Sequence, residues 1–101
     1  MTAMLEKKYL KTKPECEVTF IVPSDVQGET VHLVGEFNDW DHDSLPMKRQ
    51  KDGSFALKLK LPADHEYQFR YLINGTEWHN DWSADRYVGN GLGEENSVVV
   101  V

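Results

Sequence analysis

The sequence predicts an all-β domain, an immunoglobulin-like antiparallel β-sandwich of about seven short strands. Three observations carry this expectation. Several segments alternate apolar and polar residues with a period of two, the mark of a half-buried strand. The clearest is residues 55–61, where Phe55, Leu57, Leu59 and Leu61 alternate with Ala56, Lys58 and Lys60. Turn-forming residues punctuate the chain about every 8–12 positions. No stretch repeats its apolar residues convincingly at helical spacing.

Residues 1–13 read as a polar lead-in rich in lysine (Lys7, Lys8, Lys11, Lys13), expected to be a solvated tail. Pro14 ends it, and the folded domain is expected over residues 14–101. Residues 15–22 place Cys16, Val18, Phe20 and Val22 inward and Glu17 and Thr19 on the other face. After a turn at residues 23–28, a second strand puts Val31, Leu33 and Gly35 on one face and Thr30, His32 and Val34 on the other. Gly35 lets the backbone bend or another segment approach closely. Phe37 is then free to turn back into the core, while Asn38 and Asp39 favour a turn by bonding their own backbone. Trp40 follows among polar neighbours, either as a platform for a ligand or as a half-buried cap on the core.

Residues 41–44 are loop, and residues 45–50 a short edge strand that tolerates Pro46. Lys51-Asp52-Gly53 signals a hairpin leading into the strand at 55–61. A turn at 62–64 precedes Tyr67, Phe69, Tyr71 and Ile73, an aromatic-rich inner face with Gln68, Arg70 and Leu72 opposite. Asn74-Gly75 makes the next hairpin, and residues 76–79 the returning strand. Residues 80–95 form a long Gly-rich loop carrying Trp82, Tyr87 and Leu92, and residues 97–101 close the sheet.

At 101 residues the chain is one domain with a modest core, and its 40% hydrophobic and 28% charged residues are ordinary for a globular protein. A formal charge of −6 argues against nucleic acid or an anionic membrane, both of which bind an excess of Lys and Arg. A neutral ligand is compatible with it. The single Cys16 excludes an internal disulfide, and no signal peptide or bilayer-length apolar run is present, so a cytoplasmic location is expected.

Catalytic and metal chemistry find little footing. Asp39, Asp41 and Asp43 imitate the start of a calcium loop. Ser44 stands where that loop needs its glycine, however, and Gln50 where it needs its closing glutamate. The four histidines, His32, His42, His65 and His79, stand singly, so no metal ligands are assigned. Gly89, Gly91 and Gly93 lack the spacing of a phosphate loop and the helix that must follow one. Cys16, inward on a strand, is a poor nucleophile. No two carboxylates are singled out as the facing pair that glycoside hydrolysis requires. No catalytic residue and no cofactor is expected.

The aromatic residues say more. Trp40, Trp78 and Trp82 fall at strand ends or in loops rather than at alternating inner positions. A pyranose stacked on an indole covers ~80 Å² at ~25 cal/mol per Å², or ~2 kcal/mol for each ring. Two such platforms, offset by the cost of association, give a dissociation constant of ~10 µM to ~1 mM. Hairpin register decides whether Trp78 takes part. A two-residue loop, Asn74-Gly75, pairs Trp78 with Tyr71 and turns it inward. A three-residue loop, Ile73-Asn74-Gly75, pairs it with Arg70 on the outer face. The second is expected, because the inner face is already filled. Arg70 beside Trp78 would then offer a forked donor to paired hydroxyls.

Taken in order, V-H-L-V-G-E-F-N-D-W, D-G-S-F, Y-Q-F-R-Y-L-I-N-G-T-E-W and L-G-E-E-N-S-V-V-V resemble carbohydrate-binding module family 48. This is the early-set domain found N-terminal to isoamylases and glycogen branching enzymes and in the β subunit of AMP-activated protein kinase. The resemblance runs from about residue 18 to residue 101. It implies an immunoglobulin-like sandwich that binds α-1,4-glucans such as glycogen. It further implies ligand contacts from Trp40, Arg70 (where Lys is usual), Trp78, Leu92 and Asn96. Glu94 replaces a small hydroxyl residue common between the last two, and Trp78 comes after one extra residue.

The expected function is therefore non-catalytic binding of an α-glucan polysaccharide or oligosaccharide, with a glycan-metabolising enzyme as a possible partner in trans. The alternative is a protein-interaction or regulatory module on the same scaffold that no longer binds glucan.

Overall fold

The computed structural model describes residues 5–12, 14–24, 26, 28–81, 84–89, 91 and 93–101. Among these residues the chain forms two antiparallel sheets, as the alternation predicts. The first contains β1 (Leu5–Tyr9), β2 (Glu15–Val22), β5 (Phe55–Pro62) and β4 (Lys48–Arg49), in that spatial order. The second contains β3 (Val31–Gly35), β6 (Glu66–Ile73), β9 (Glu95–Val100) and β8 (Arg86–Gly89), with β7 (Glu77–His79) also paired to β6.

The core lies between the sheets and is filled by the residues whose period of two faces inward. Cys16, Val18, Phe20 and Val22 from β2 and Phe69, Tyr71 and Ile73 from β6 are all fully buried. Phe20 and Phe69 meet edge to face at 5.1 Å between ring centroids, a favoured aromatic geometry. Burial raises the Cys16 thiol above its ordinary range, which agrees with an inert side chain.

Two strands exceed the seven expected. The Lys-rich lead-in carries β1, paired along its whole length to β2 from Leu5 opposite Phe20 to Tyr9 opposite Cys16. Only Leu5 of that strand is even half-buried, so it has no hydrophobic alternation to betray it. Its backbone ladder and an ion pair, Lys7 Nζ to Asp85 Oδ2 at 2.6 Å, hold it. β8 lies within the segment expected to be loop, on the outer edge of β9.

The segment between β3 and β5 crosses from one sheet to the other. Leu33 N donates to Leu45 O at 2.9 Å and Met47 N to Val31 O at 2.8 Å, whereas β4 pairs with β5. Pro46 sits at this edge, where its missing N–H costs nothing.

A buried polar network fixes the segment after β7. Tyr71 Oη donates to Asp81 Oδ2 at 2.5 Å, Asp81 N to Ser97 Oγ at 2.7 Å, and Tyr87 Oη to the Asp81 carbonyl at 2.5 Å. Burial first, and the Asp81 carboxylate second, hold the Tyr71 phenol protonated well above its ordinary range. The unfolded phenol ionises near pH ~10, so above that pH only the unfolded chain releases this proton. The stability contributed by Tyr71 is thus complete below pH ~10 and falls by about 1.4 kcal/mol per pH unit beyond it. Urea denaturation at pH 7 and pH 11 should show Tyr71→Phe less stable at pH 7 by about 1–3 kcal/mol. The same variant should lose less than the wild type on going to pH 11.

Candidate functional site

The outer face of the second sheet is organised by β6. This strand shares one edge between two partners: Glu66–Phe69 pair with β9, and Tyr71–Ile73 pair with β7. Arg70 falls at the fork between them, paired only across the other edge with Val34 of β3. Rows of outward residues follow from these registers. His32, Leu72 and Trp78 stand side by side, Val34 and Arg70 form the next row, and Gln68 and Val98 the third.

The β6–β7 hairpin corrects the expected register while keeping the expected face. Ile73 pairs with Glu77, so the three-residue loop is Asn74-Gly75-Thr76, and Trp78 stands opposite Leu72 rather than Arg70. Asn74 is held out of the ladder by the segment that precedes β3: its Oδ1 accepts from Glu29 N at 2.8 Å, and its own N donates to Thr30 O at 2.8 Å. Asn74 and Gly75 both take left-handed backbone, with φ of 55° and 73°. Arg70 becomes the diagonal neighbour of Trp78, and its guanidinium lies over the indole, 5.4 Å from the ring centroid.

Trp78 is 37% exposed. His42 meets it edge-on, with ring centroids 5.1 Å apart and planes at 77°. Arg70 is mostly covered, with 13% of its side chain exposed, and Nη1 forms an ion pair with Glu94 Oε1 at 3.1 Å. Its Nε is buried without a hydrogen-bond partner among the described groups.

Trp40 is half-buried at the far end of β3. A single 3-10 turn, Glu36–Asn38, leads to it. Asn38 organises this turn: its Oδ1 accepts from Gly35 N at 3.0 Å, and its Nδ2 donates to Asp41 O at 3.1 Å and Ser44 Oγ at 3.0 Å. Phe37 turns back among Phe20, Phe69 and Tyr67 as expected. Asp39 and Trp40 both take left-handed backbone, at φ of 54° and 58°, a rare conformation for a bulky side chain. The turn brings the residues just after Trp40 to the outer face, where His42 touches Trp78.

Asn96 lies on β9 and is buried, its Nδ2 donating to Gln68 Oε1 at 3.0 Å. Leu92 and Trp82 lie outside the described residues. Asp41 Oδ1 accepts from Asp43 N at 2.8 Å, so the acidic run is a self-bonded turn. Among the described residues no three His, Cys, Asp or Glu side chains gather where they could hold a metal ion. No helix of the described residues is long and apolar enough to cross a membrane.

Sequence reasoning missed His42 as a member of this face, and read Glu94 as a departure from the family pattern without its pairing to Arg70. Glu94 reaches Arg70 from another strand end, a contact no local pattern announces. The arrangement joins one accessible indole to a forked donor, a carboxylate acceptor and an imidazole. It suits a flat ligand with apolar faces and hydroxyl-bearing edges.

Residues 18–101 match the family described as the glycogen recognition site of AMP-activated protein kinase. A 1,4-alpha-glucan branching enzyme, GlgB, of Aquifex aeolicus (strain VF5) is 32% identical over 66 residues, 64% of this chain. The matched stretch is 10% of that enzyme, so the chain spans about a tenth of its length.

Proposed function

The chain belongs to the family of the glycogen recognition site of AMP-activated protein kinase, a module of the carbohydrate-binding family 48 type, and from that membership we propose that it binds α-1,4-linked glucan without turning it over. The observation that carries the reading is Trp78, accessible on the outer face with Arg70 against its ring. In this reading a glucose unit stacks on the indole, while Arg70 and neighbouring polar groups bond its hydroxyls. Trp40 supplies a second apolar surface from the rim, and Leu92 and Asn96 complete the contacts. Any bond-making or bond-breaking on the glucan belongs to a glycan-metabolising enzyme acting in trans.

Titration with maltoheptaose tests this, followed by tryptophan fluorescence. A saturable change with a dissociation constant between about 10 µM and 1 mM is expected from one or two stacked rings. A flat signal through millimolar sugar would overturn the reading.

One observation favours a second reading, a face that docks a protein. Arg70 is already engaged by Glu94 at 3.1 Å, which is not the state of a donor awaiting hydroxyls. A single protein partner recovered by pull-down, and not displaced by maltoheptaose, would support that reading over the first.

A further inference from the structure

The charges of the outer face are arranged in a way that glucan binding alone does not require. The two arginines on it each carry a glutamate. Arg70 pairs with Glu94 at 3.1 Å, and Arg86, in the row of Gln68 and Val98, pairs with Glu66. The Trp40 loop adds Asp39, Asp41 and Asp43, all exposed, with no Lys or Arg paired to them among the described residues. The two pairs on the face balance in charge, and the loop whose His42 touches Trp78 carries three exposed carboxylates beside it.

Glu94 is the outermost partner in the Arg70 pair. Its side chain is 59% exposed against 13% for Arg70, so a ligand approaching the guanidinium meets the carboxylate first. The backbone beside it is anchored, since Asn80 Nδ2 donates to Glu95 O at 2.9 Å and ties this segment to the one that follows Trp78. An arginine without such a partner, lying over an aromatic ring, is a ready fork for phosphate.

We infer that Glu94 is a charge-selecting residue: its carboxylate, seated on Arg70, admits neutral glucan and turns away glucan bearing phosphate monoesters. The inference rests on the glucan-binding reading. A phosphate monoester carries nearly two negative charges at neutral pH, so it meets repulsion where a hydroxyl meets an acceptor. The guanidinium that would neutralise it is already taken.

The test is calorimetric titration of the whole chain with maltoheptaose and with maltoheptaose 6-phosphate, at low ionic strength where screening is weak. The wild type should prefer the neutral sugar by about tenfold, the scale of one or two partly screened charge contacts. Glu94→Gln keeps the shape and removes the charge, and should abolish most of that preference. Glu94→Asp should retain it. Equal wild-type affinity for the two sugars, or a preference unchanged in Glu94→Gln, overturns the inference while leaving glucan binding intact. Failure of the wild type to bind maltoheptaose at all overturns both.

Discussion

Replacing Trp78 with alanine should reduce the affinity for glycogen about 30-fold, the equivalent of ~2 kcal/mol for ~80 Å² of stacking surface. At 37% exposure the residue offers one surface to a ligand, while the rest of it is covered by neighbouring side chains. Leu72 beside it is buried and Arg70 lies against it, so some stability goes too. That cost should stay near 1 kcal/mol, a fall in Tm of about 4–8 °C. Co-sedimentation with glycogen and thermal unfolding, measured on the same preparation, separate the two effects. Unchanged sedimentation of a folded Trp78→Ala protein would remove the indole from the binding face.

The largest loss of stability is expected at Gly35. The residue is extended, so the objection to a side chain there is space. A Cβ would stand 2.6 Å from the Gln68 carbonyl oxygen, 2.8 Å from Phe69 Cβ and 2.9 Å from Phe37 Cζ. The first of these is backbone of the central strand and can retreat only by opening the β3–β6 ladder, in which Gly35 faces Phe69. Gly35→Ala should therefore cost about 3 kcal/mol, the upper end of ordinary overpacking, and lower Tm by roughly 12–24 °C. Because Trp40 N donates to Gly35 O at 2.9 Å, the same change should disturb the turn bearing Trp40. Denaturant unfolding that shows a loss below about 1 kcal/mol would mean the ladder yields more easily than its geometry implies.

The fold was legible wherever burial is one-sided. β2 and β6 announce themselves because their inward residues are all apolar and their outward ones mostly are not. β1 is invisible to that test, since an edge strand with four exposed residues in five carries no periodicity. The outer face of the second sheet was only half legible. Val34, Leu72 and Val98 are buried there, so this face also covers apolar side chains. Gly35 was read correctly because a glycine closing an apolar strand leaves room for another segment to come close, here Gln68 and Phe69.

The neighbourhood of Arg70 and Trp78 was legible in the sequence, and its register was not. Trp78 was placed on the correct face for a sound reason, a filled interior, but in the wrong slot. What decides the slot is Asn74 bonding to residues 29 and 30, a tertiary contact across 45 positions. The Arg70–Glu94 pair spans 24 positions and arises because β6 exchanges one partner strand for another at Arg70. Neither fact has a local signature.

β1 lies wholly outside the matched residues 18–101, yet it occupies one flank of β2. A chain trimmed to the matched boundary would leave that flank bare, a template on which a second molecule could add itself strand by strand. It would also take Lys7 from Asp85, whose Oδ2 accepts from both Lys7 Nζ and Val100 N. The lysines of this strand, Lys7 and Lys8, place charge along the sheet edge that β1 itself forms, which discourages further strand addition there, so protection of that edge rests on the part of the sequence least like a core.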